Sequence, residues 1–474
     1  LRSAVPTLVQ PWYADDAAMV GPPREIAKAF RLLQVWGPQR GYYPEPEKSV
    51  LVVAPEWAEA AELELREFQF QYRSGSRYLG GWIGDRGARA EWLEPQIQQW
   101  IGGIDRLAQV AKRYPQTAYA GMTRSLQGEW QFIQRVLPDA DGAFAPVEAA
   151  IASTFIPALL DDTKEAVTGL RELIRLPVRH SGLGLPNPGE TASDSHLTSQ
   201  LVTESLTKSL LAGTPLGAAA YSTAAATGQK TWRAVREKVD GATLLELCAK
   251  AAPTDARRMQ RSTDTGSWLT TTPDYQNGTV LSAEEFRDSL RLRLGLDPVA
   301  LPHRCDGCEQ RFTVEHAMCC KKGGLVTLRH NDVMAEWHHL CALALTPSVV
   351  SDEPLINTGR DNREEMRQSA EPPKELRGDV SVHGFWAKGQ TAIFDIRVTD
   401  VDARSYRSTD TKKVLRRHEE EKKKLYNDAC LARRRSFTPL VFSVDGLRGQ
   451  ECEAASKRLA SLLAAKWSRT YSEV

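Results

Sequence analysis

The sequence predicts an α+β chain of several domains, and three observations carry that reading. Its 474 residues exceed what one hydrophobic core spans, so two to four domains are expected. The hydrophobic pattern also changes along the chain. Short apolar runs split by turn residues reach to about residue 85, helical spacing follows to about residue 300, and strand-like alternation appears past residue 375. Between the last two lies a Cys/His cluster spaced for a tetrahedral metal.

Composition narrows the function classes. Apolar residues make up 42% of the chain, enough for each domain to bury a core. No run of eighteen apolar residues occurs, which argues against a transmembrane span. Leu1 to Gln10 lacks the basic start and long apolar centre of a signal peptide. The chain opens on Leu rather than Met, as a piece of a longer protein would. Net charge is +1, so the total says nothing of nucleic acid; its distribution says more. Lys412 to Arg435 holds ten Lys/Arg against four Asp/Glu. Of eight cysteines, five lie between Cys305 and Cys341. In a chain without a secretory signal that clustering reads as metal binding in a reducing compartment.

Residues 1–85 read as β-rich with one helix. In Pro11-Trp12-Tyr13-Ala14-Asp15-Asp16-Ala17-Ala18-Met19-Val20, two carboxylates interrupt an apolar run, which suits a tight hairpin with both acids at its tip. Paired carboxylates at such a turn can hold Mg²⁺ and leave positions open for phosphate. Two such ions serve the attacking and leaving oxygens of in-line nucleotidyl transfer. Arg24 to Trp36 supplies the helix, with Ile26, Phe30 and Leu33 on one face, and short strands are expected around Val50 and Tyr78. Residues 86–186 turn helical: Ile97, Ile101, Ile104, Leu107 and Val110 recur at helical spacing, and TRSLQGEWQFIQRVLP continues in that style. Residues 187–300 carry helical stretches (Leu201 to Leu211, Ala242 to Ala251, Glu284 to Leu294) and no evident chemistry. There GTPLGAAAYSTAAATGQ reads as a loop, and the whole segment reads as a connector.

Residues 301–330 hold the sharpest local pattern, Cys305-x2-Cys308-x7-His316-x3-Cys320. Zn²⁺ takes four tetrahedral N/S ligands, and Cys-x2-Cys presents two thiolates to one ion. Cys320 is preferred to Cys319 because its four-residue step from His316 matches one helical face. A site closed by four protein ligands is structural. Cys341, set apart, reads as core.

Residues 331–474 bring further carboxylates. Asp332 and Glu336 lie four apart on an expected helix, Val333 to Leu345, and a polar stretch from Ser351 to Leu376 reads as a long loop. Two strands are expected at Gly378 to Val382 and Thr391 to Val398, joined by a turn. On the second, Phe394, Ile396 and Val398 face one way, Asp395 and Arg397 the other. Asp379 and Asp395 on adjoining strands could share one metal with a phosphate, while a cation offsets transition-state charge. A strand at Val441 to Val444 and an amphipathic helix (Leu459, Leu462, Leu463, Trp467) close the chain.

These pieces resemble, in order, the C-terminal part of a non-LTR retrotransposon reverse transcriptase with a zinc knuckle and a restriction-like endonuclease domain. Tyr13-Ala14-Asp15-Asp16 looks like the Tyr-x-Asp-Asp motif. GYYPEPEKSV is similar to the following palm segment, with Lys48 as its lysine. Tyr78-Leu79-Gly80-Gly81 resembles the primer-grip turn, and Arg179 to Pro186 the Gly-Leu-Gly turn that closes the thumb. The Cys/His pattern is similar to the family's Cys-Cys-His-Cys knuckle, and Asp379…Asp395-x-Arg397 to its Pro-Asp…Asp/Glu-x-Lys nuclease core. Two positions depart: Gly378 stands for Pro and Arg397 for Lys, and Arg stays charged and cannot serve as a base. EEEKKKLYNDA resembles the basic helix that follows the acids, which makes Lys422, Lys423 and Tyr426 candidates.

The resemblance implies a partial right-hand polymerase palm (1–85), a helical thumb (86–186), a helical connector (187–300), a small zinc knuckle (301–330) and an α/β endonuclease (331–474). The fingers and the first palm aspartate lie outside this match. It further implies polymerase Mg²⁺ on Asp15 and Asp16 and nuclease Mg²⁺ or Mn²⁺ on Asp379 and Asp395. Zinc is implied on Cys305, Cys308, His316 and Cys320. The implied process is target-primed reverse transcription in the nucleus, with element RNA as template, double-stranded DNA as target and no membrane partner. Arg397 and Lys412 to Arg435 would handle phosphate charge, giving salt-sensitive binding. An inactive or domesticated nucleic-acid-binding remnant is the alternative, and an organellar intron maturase, which shares the Tyr-Ala-Asp-Asp tetrad, is a third.

Overall fold

The computed structural model describes residues 1–13, 16–357 and 375–471. The chain is mixed α+β and falls into two compact units, Leu1–Leu247 with Thr271–Leu290, and Cys248–Thr270 with Arg291–Val474. The segment expected as a connector is thus divided between them.

In the first unit, β1 (Trp12–Tyr13) pairs antiparallel with β2 (Asp16–Ala17). Helix α1 (Pro23–Trp36) starts on Pro23 at its first position, where the missing N–H has no partner to lose. Strand β3 (Val50–Val52) lies parallel to β4 (Gln71–Arg73), with α2 (Ala58–Leu65) in sequence between them. Hairpin β5 (Gly75–Tyr78) and β6 (Gly81–Gly84) follows. The region was expected to hold one helix. It holds a second because AEAAELEL consists of strong helix formers. Ala27, Phe30, Ala61, Leu65 and Phe68 form its small core.

Helix α3 (Arg86–Arg113) is capped by Asp85, whose carboxylate accepts from the Ala88 amide at 2.9 Å. Its buried stripe is Leu93, Ile97, Trp100, Ile104, Ala108 and Ala111, rotated from the expected face. Val110 is exposed, because 3.6 residues per turn carries the stripe to Ala108 and Ala111. A bundle of short helices packs around it: α4 (Pro115–Gly121), α5 (Gln127–Val136), α6 (Ala145–Ala150), α7 (Ile156–Leu160), α8 (Lys164–Thr168) and α9 (Arg171–Ile174). Asp141–Leu160 is long and apolar enough to cross a membrane, at a mean hydropathy of 1.6, although no unbroken apolar run of that length occurs. Its Phe144, Val147, Ile151, Phe155, Leu159 and Leu160 are buried in the protein core. Two long helices follow, α10 (Pro188–Ala212) and α11 (Ala218–Lys250). The segment expected as a loop is therefore mostly helix from Ala218 onward. Alanine favours helix without needing to pack, and most of Ala218 to Gln229 stays exposed.

The second unit opens with α12 (Pro253–Ser262) and α13 (Ser267–Thr270), and α14 (Ala283–Leu294) runs into it. After the Cys/His segment, which carries α15 (Val314–Cys319), comes α16 (Leu325–Ala344). A four-stranded sheet then forms in the order β12–β11–β10–β7 from β7 (Val350–Asp352), β10 (Val380–His383), β11 (Thr391–Thr399) and β12 (Ser436–Ser443). Beside it β8 (Leu355–Asn357) pairs with β9 (Leu376–Arg377). The stretch expected as a loop from Ser351 thus begins as strand, and its residues 358–374 lie outside the described ones. Strands β7, β10 and β11 are antiparallel neighbours, while β11 and β12 are parallel and so need a crossover. Helix α17 (Thr411–Leu431) provides it, and α18 (Gln450–Trp467) follows β12.

Each sheet face has its own core. Ala392, Phe394 and Ile396 of β11 pack with Trp337 and Cys341 of α16 and Cys452, Ala455, Leu459 and Leu463 of α18. On the other face Ile393 packs with Tyr426 and Cys430 of α17. The two-residue alternation along β11 holds as expected, and Cys341 is core. In the last helix Leu459 and Leu463 are buried, whereas Trp467 is exposed. Helix α12 is ionically tied to this unit. Arg261, 6% exposed, meets Asp402 and Asp445, each at 2.5 Å, and Arg257 meets Asp402 at 3.0 Å.

Candidate active site and metal centre

The Cys/His cluster is built by a short loop and one helical turn. Arg304 and Arg311 form a β-bridge, and the Cys305 carbonyl accepts from the Glu309 amide at 2.7 Å, folding the Cys-x2-Cys loop back on itself. The loop passes so close to Lys322 that a Cβ on Gly307 would lie 2.5 Å from the Lys322 carbonyl oxygen. Glycine is required there by space. Thr313 caps α15 by accepting from the His316 amide at 3.1 Å.

The ligand atoms of Cys305, Cys308, His316 and Cys320 all lie within 4.8 Å of one another. Cys320 Sγ is 3.8 Å from both Cys305 Sγ and Cys308 Sγ, and Cys308 Sγ is 3.3 Å from His316 Nε2. Zn–S bonds of about 2.3 Å at tetrahedral angles place two sulfurs about 3.8 Å apart. The four residues therefore fit a metal such as zinc. Backbone amides of Gly323 and Lys322 pull the Cys320 thiol down to about 7, toward the thiolate a metal needs. Cys319 is exposed and its Sγ contacts the Glu315 carbonyl at 3.1 Å, so the fold selects Cys320.

The carboxylates of the second unit meet across β10 and β11. The Asp379 amide donates to the Phe394 carbonyl at 2.9 Å, and Asp379 Oδ2 accepts from the Ile396 amide at 2.5 Å. One carboxylate oxygen is thereby fixed to the strand that carries Asp395. The other, Oδ1, lies 3.5 Å from His330 Nε2. Gly378 permits this pairing: its amide donates to the Pro354 carbonyl at 3.1 Å, and a Cβ there would lie 2.5 Å from Ile393 Cγ2. Proline at this position would lose the bond and meet Ile393.

Asp395 is 4% exposed. Lys422 Nζ of α17 lies 2.5 Å from its Oδ2 as an ion contact, and no donor is aligned on that oxygen as a hydrogen bond. Burial raises the Asp395 carboxyl above its ordinary range, and Lys422 draws it back. Tyr426, one turn on from Lys422, stacks on Phe437 at 4.9 Å and lies beneath the Lys422 ammonium, 5.6 Å from its ring. Burial, reinforced by Asp395, pushes the Tyr426 phenol up, so it stays protonated. His330 is raised by its bond to Asp379, against burial and with help from the charges of Asp379 and Asp395.

The fold thus brings Asp379, Asp395, Lys422 and Tyr426 together and takes two other sequence candidates elsewhere. Arg397 shares the Asp395 face of β11 but pairs with Glu421 at 3.0 Å. Lys423, one residue on from Lys422, turns about 100° round the helix and pairs with Glu451. Asp332 and Glu336 are exposed, outside the centre. The residue missed in the sequence is His330, which no spacing signal marks.

In the first unit Asp16 is exposed on β2, opposite Tyr13. Asp15 lies outside the described residues. Burial, with the Asp16 charge, raises the Tyr78 phenol, which sets the β5–β6 hairpin near Asp16. Lys48 pairs with Glu45 at 2.5 Å in the turn before β3 and is largely exposed. Compared with known proteins, the chain matches no family model and no curated protein.

Proposed function

We propose that this chain is the C-terminal part of a non-LTR retrotransposon reverse transcriptase whose second unit cleaves DNA by metal-assisted hydrolysis. The observation that supports this most is the joining of Asp379, just before β10, and Asp395 of β11 with Lys422 and Tyr426 from the crossover helix. Asp379 and Asp395 offer carboxylate oxygens from neighbouring strands, the donor type hard divalent cations take, with the Lys422 ammonium 2.5 Å from Asp395 Oδ2. Bound Mg²⁺ or Mn²⁺ would be held by Asp379 Oδ1 and Asp395, and would polarise the phosphate and its attacking water.

The chain's own residues do the rest. The Ile396 amide keeps Asp379 in one orientation, Tyr426 orients Asp395, and Lys422 offsets the carboxylate charge and then that of the phosphate. Water adds to phosphorus, the bond to the 3′ oxygen breaks, and the strand is left with a 3′-hydroxyl. In target-primed reverse transcription that hydroxyl primes copying of element RNA, the task of the palm and thumb segments of which residues 1–186 are the C-terminal part. Work on chromosomal DNA places the protein in the nucleus.

The test is plasmid nicking by the whole chain with Mg²⁺ or Mn²⁺, beside Asp395→Ala. The whole chain is used because Arg257 and Arg261 of α12 anchor Asp402. Nicking that vanishes in the variant supports the reading. A folded, zinc-loaded, DNA-binding protein that never nicks sinks it in favour of the inactive remnant. One observation favours that second reading: among the described residues, the knuckle is the one group of three or more metal-ligating side chains.

A further inference from the structure

Helix α18 begins without a cap of its own. It is preceded by Gly449, which has no side chain to accept from the orphan amides of the first turn. A Ser or Asp at that place would do so locally. The fold instead brings a carboxylate from another helix. Glu419 of α17, 3% exposed, accepts from the Glu451 amide at 2.9 Å and from the Cys452 amide. It comes so close that a Cβ on Gly449 would lie 2.7 Å from its carboxyl carbon. Glycine leaves the space that the carboxylate fills.

Burying a carboxylate is costly, and burial raises Glu419 above its ordinary range, with the two amides opposing. A local cap at residue 449 would spare that cost; the distant one does something more, since it ties two helices together. At 100° per residue, Glu419 lies on α17 between the two lysines, about 60° from Lys422 on one side and about 40° from Lys423 on the other. Lys422 meets Asp395 of β11, and Lys423 meets Glu451 of α18. His418, on the Lys422 side, is bonded to Thr399 of β11 at 3.1 Å. The helix is thus pinned on both flanks. A turn about its axis would draw Lys422 off Asp395 and carry Lys423 toward it.

We infer that Glu419 is a positioning residue of the candidate hydrolytic centre: by capping α18 from α17 it fixes the rotation of the crossover helix and so keeps Lys422, rather than Lys423, against Asp395. This rests on the nuclease reading and names what holds its cation in place. Glu419 acts through Lys422 and takes no part in making or breaking bonds.

The test uses the whole chain and reads lysine acylation by an activated ester, mapped by mass spectrometry. Single-turnover nicking, DNA affinity and melting temperature are measured in parallel. In the wild type Lys422, with its side chain 23% exposed, reacts more slowly than Lys423, at 42%. Glu419→Ala raises the Lys422 rate several-fold. It also lowers nicking roughly tenfold with DNA affinity held, since misplacing a group by about 1 Å costs up to about 10²-fold. Glu419→Gln, which keeps an acceptor for the Glu451 amide, restores most of both. Gly449→Ala drives the carboxylate off from the other side, repeats the Glu419→Ala result, and is read in its place should that variant not fold. Equal wild-type rates, or an unchanged Lys422 rate in a folded variant, overturn the inference and leave Glu419 as a cap of α18 alone. So does a rise matched by Lys466, which holds the Leu343 carbonyl at 2.6 Å from the far end of α18, because that is general loosening. If the wild-type chain nicks and the variants nick as it does, this inference alone fails. If the wild-type chain never nicks, the nuclease reading fails, and the role of Glu419 with it.

Discussion

Asp16 and Asp395 are both strand carboxylates, yet their settings differ in every respect that governs carboxylate chemistry. Asp16 begins a two-residue strand and is exposed, opposite Tyr13, which is exposed as well. Asp395 sits mid-way along a nine-residue strand that is bonded on both sides, 4% exposed, with an ammonium and a phenol brought to it by the crossover helix. The difference teaches that a carboxylate's neighbours, and not its place in a motif alone, set its chemistry. Low dielectric and fixed neighbours give a carboxylate its pull on a metal or a proton, and the longer sheet supplies them at Asp395.

The sharpest way to stress the contrast is to remove what each region depends on. The knuckle should respond most. It has almost no apolar core, and structural zinc contributes roughly 10 kcal/mol or more of folding energy in small metal domains. Metal analysis should give one zinc per chain, Cys308→Ser or His316→Ala should abolish it, and Cys319→Ser should leave it. A loss on changing Cys319 would mean that the ligand set is misread.

Next come the two aspartates. Asp379→Ala and Asp395→Ala should each lower nicking on the order of 10²- to 10³-fold, the scale of removing a fixed electrostatic group from an active centre. Asp16→Ala should leave nicking untouched. Lys422→Ala should cost more than Arg397→Ala, because Arg397 faces Glu421. Equal losses would return Arg397 to the centre.

A third test concerns the acid limit of the nuclease unit. His418 is 1% exposed, bonded to Thr399 Oγ1 at 3.1 Å and to the Tyr406 hydroxyl at 3.2 Å. Burial, with Arg397 and Arg417 nearby and Glu421 opposing them, brings it down to about 4. As pH falls below about 6.5 the unfolded chain takes up this proton first. The stabilisation is therefore full above about 6.5 and is lost as pH drops to about 4, by roughly 3 kcal/mol at most. Melting temperatures over that window should slope upward with pH, and His418→Gln should flatten the slope. A flat wild-type profile would contradict the buried neutral ring.

The smallest effect should come from Gly378→Ala, expected to destabilise by about 1–3 kcal/mol through overpacking against Ile393. Chemical denaturation would show it. A neutral result would mean that β10 and β11 can separate.

Much of the candidate chemistry was legible because it is local. The Cys/His spacing marked the four ligands, since a Cys-x2-Cys turn and a four-residue helical step fix distances over a few bonds. Alternation along Thr391 to Val398 separated Asp395 from Phe394 and Ile396 for the same reason. The rotated stripe of α3 shows the limit: helical spacing announced an apolar face, and packing decided that Ala108 and Ala111, not Val110, would be covered.

What the sequence determined by itself is therefore whatever a turn, a period or a short spacing dictates: the knuckle ligands, the faces of β11, most of the helices and strands. The tertiary structure decided which distant groups meet. Lys422 reaches Asp395 while Lys423 leaves for Glu451, Arg397 is drawn off by Glu421, and His330 arrives at Asp379. No local rule reaches across those separations. The parallel pairing of β11 with β12 forces α17 to cross the sheet, and the angle at which it crosses chooses the side chains that face the carboxylates.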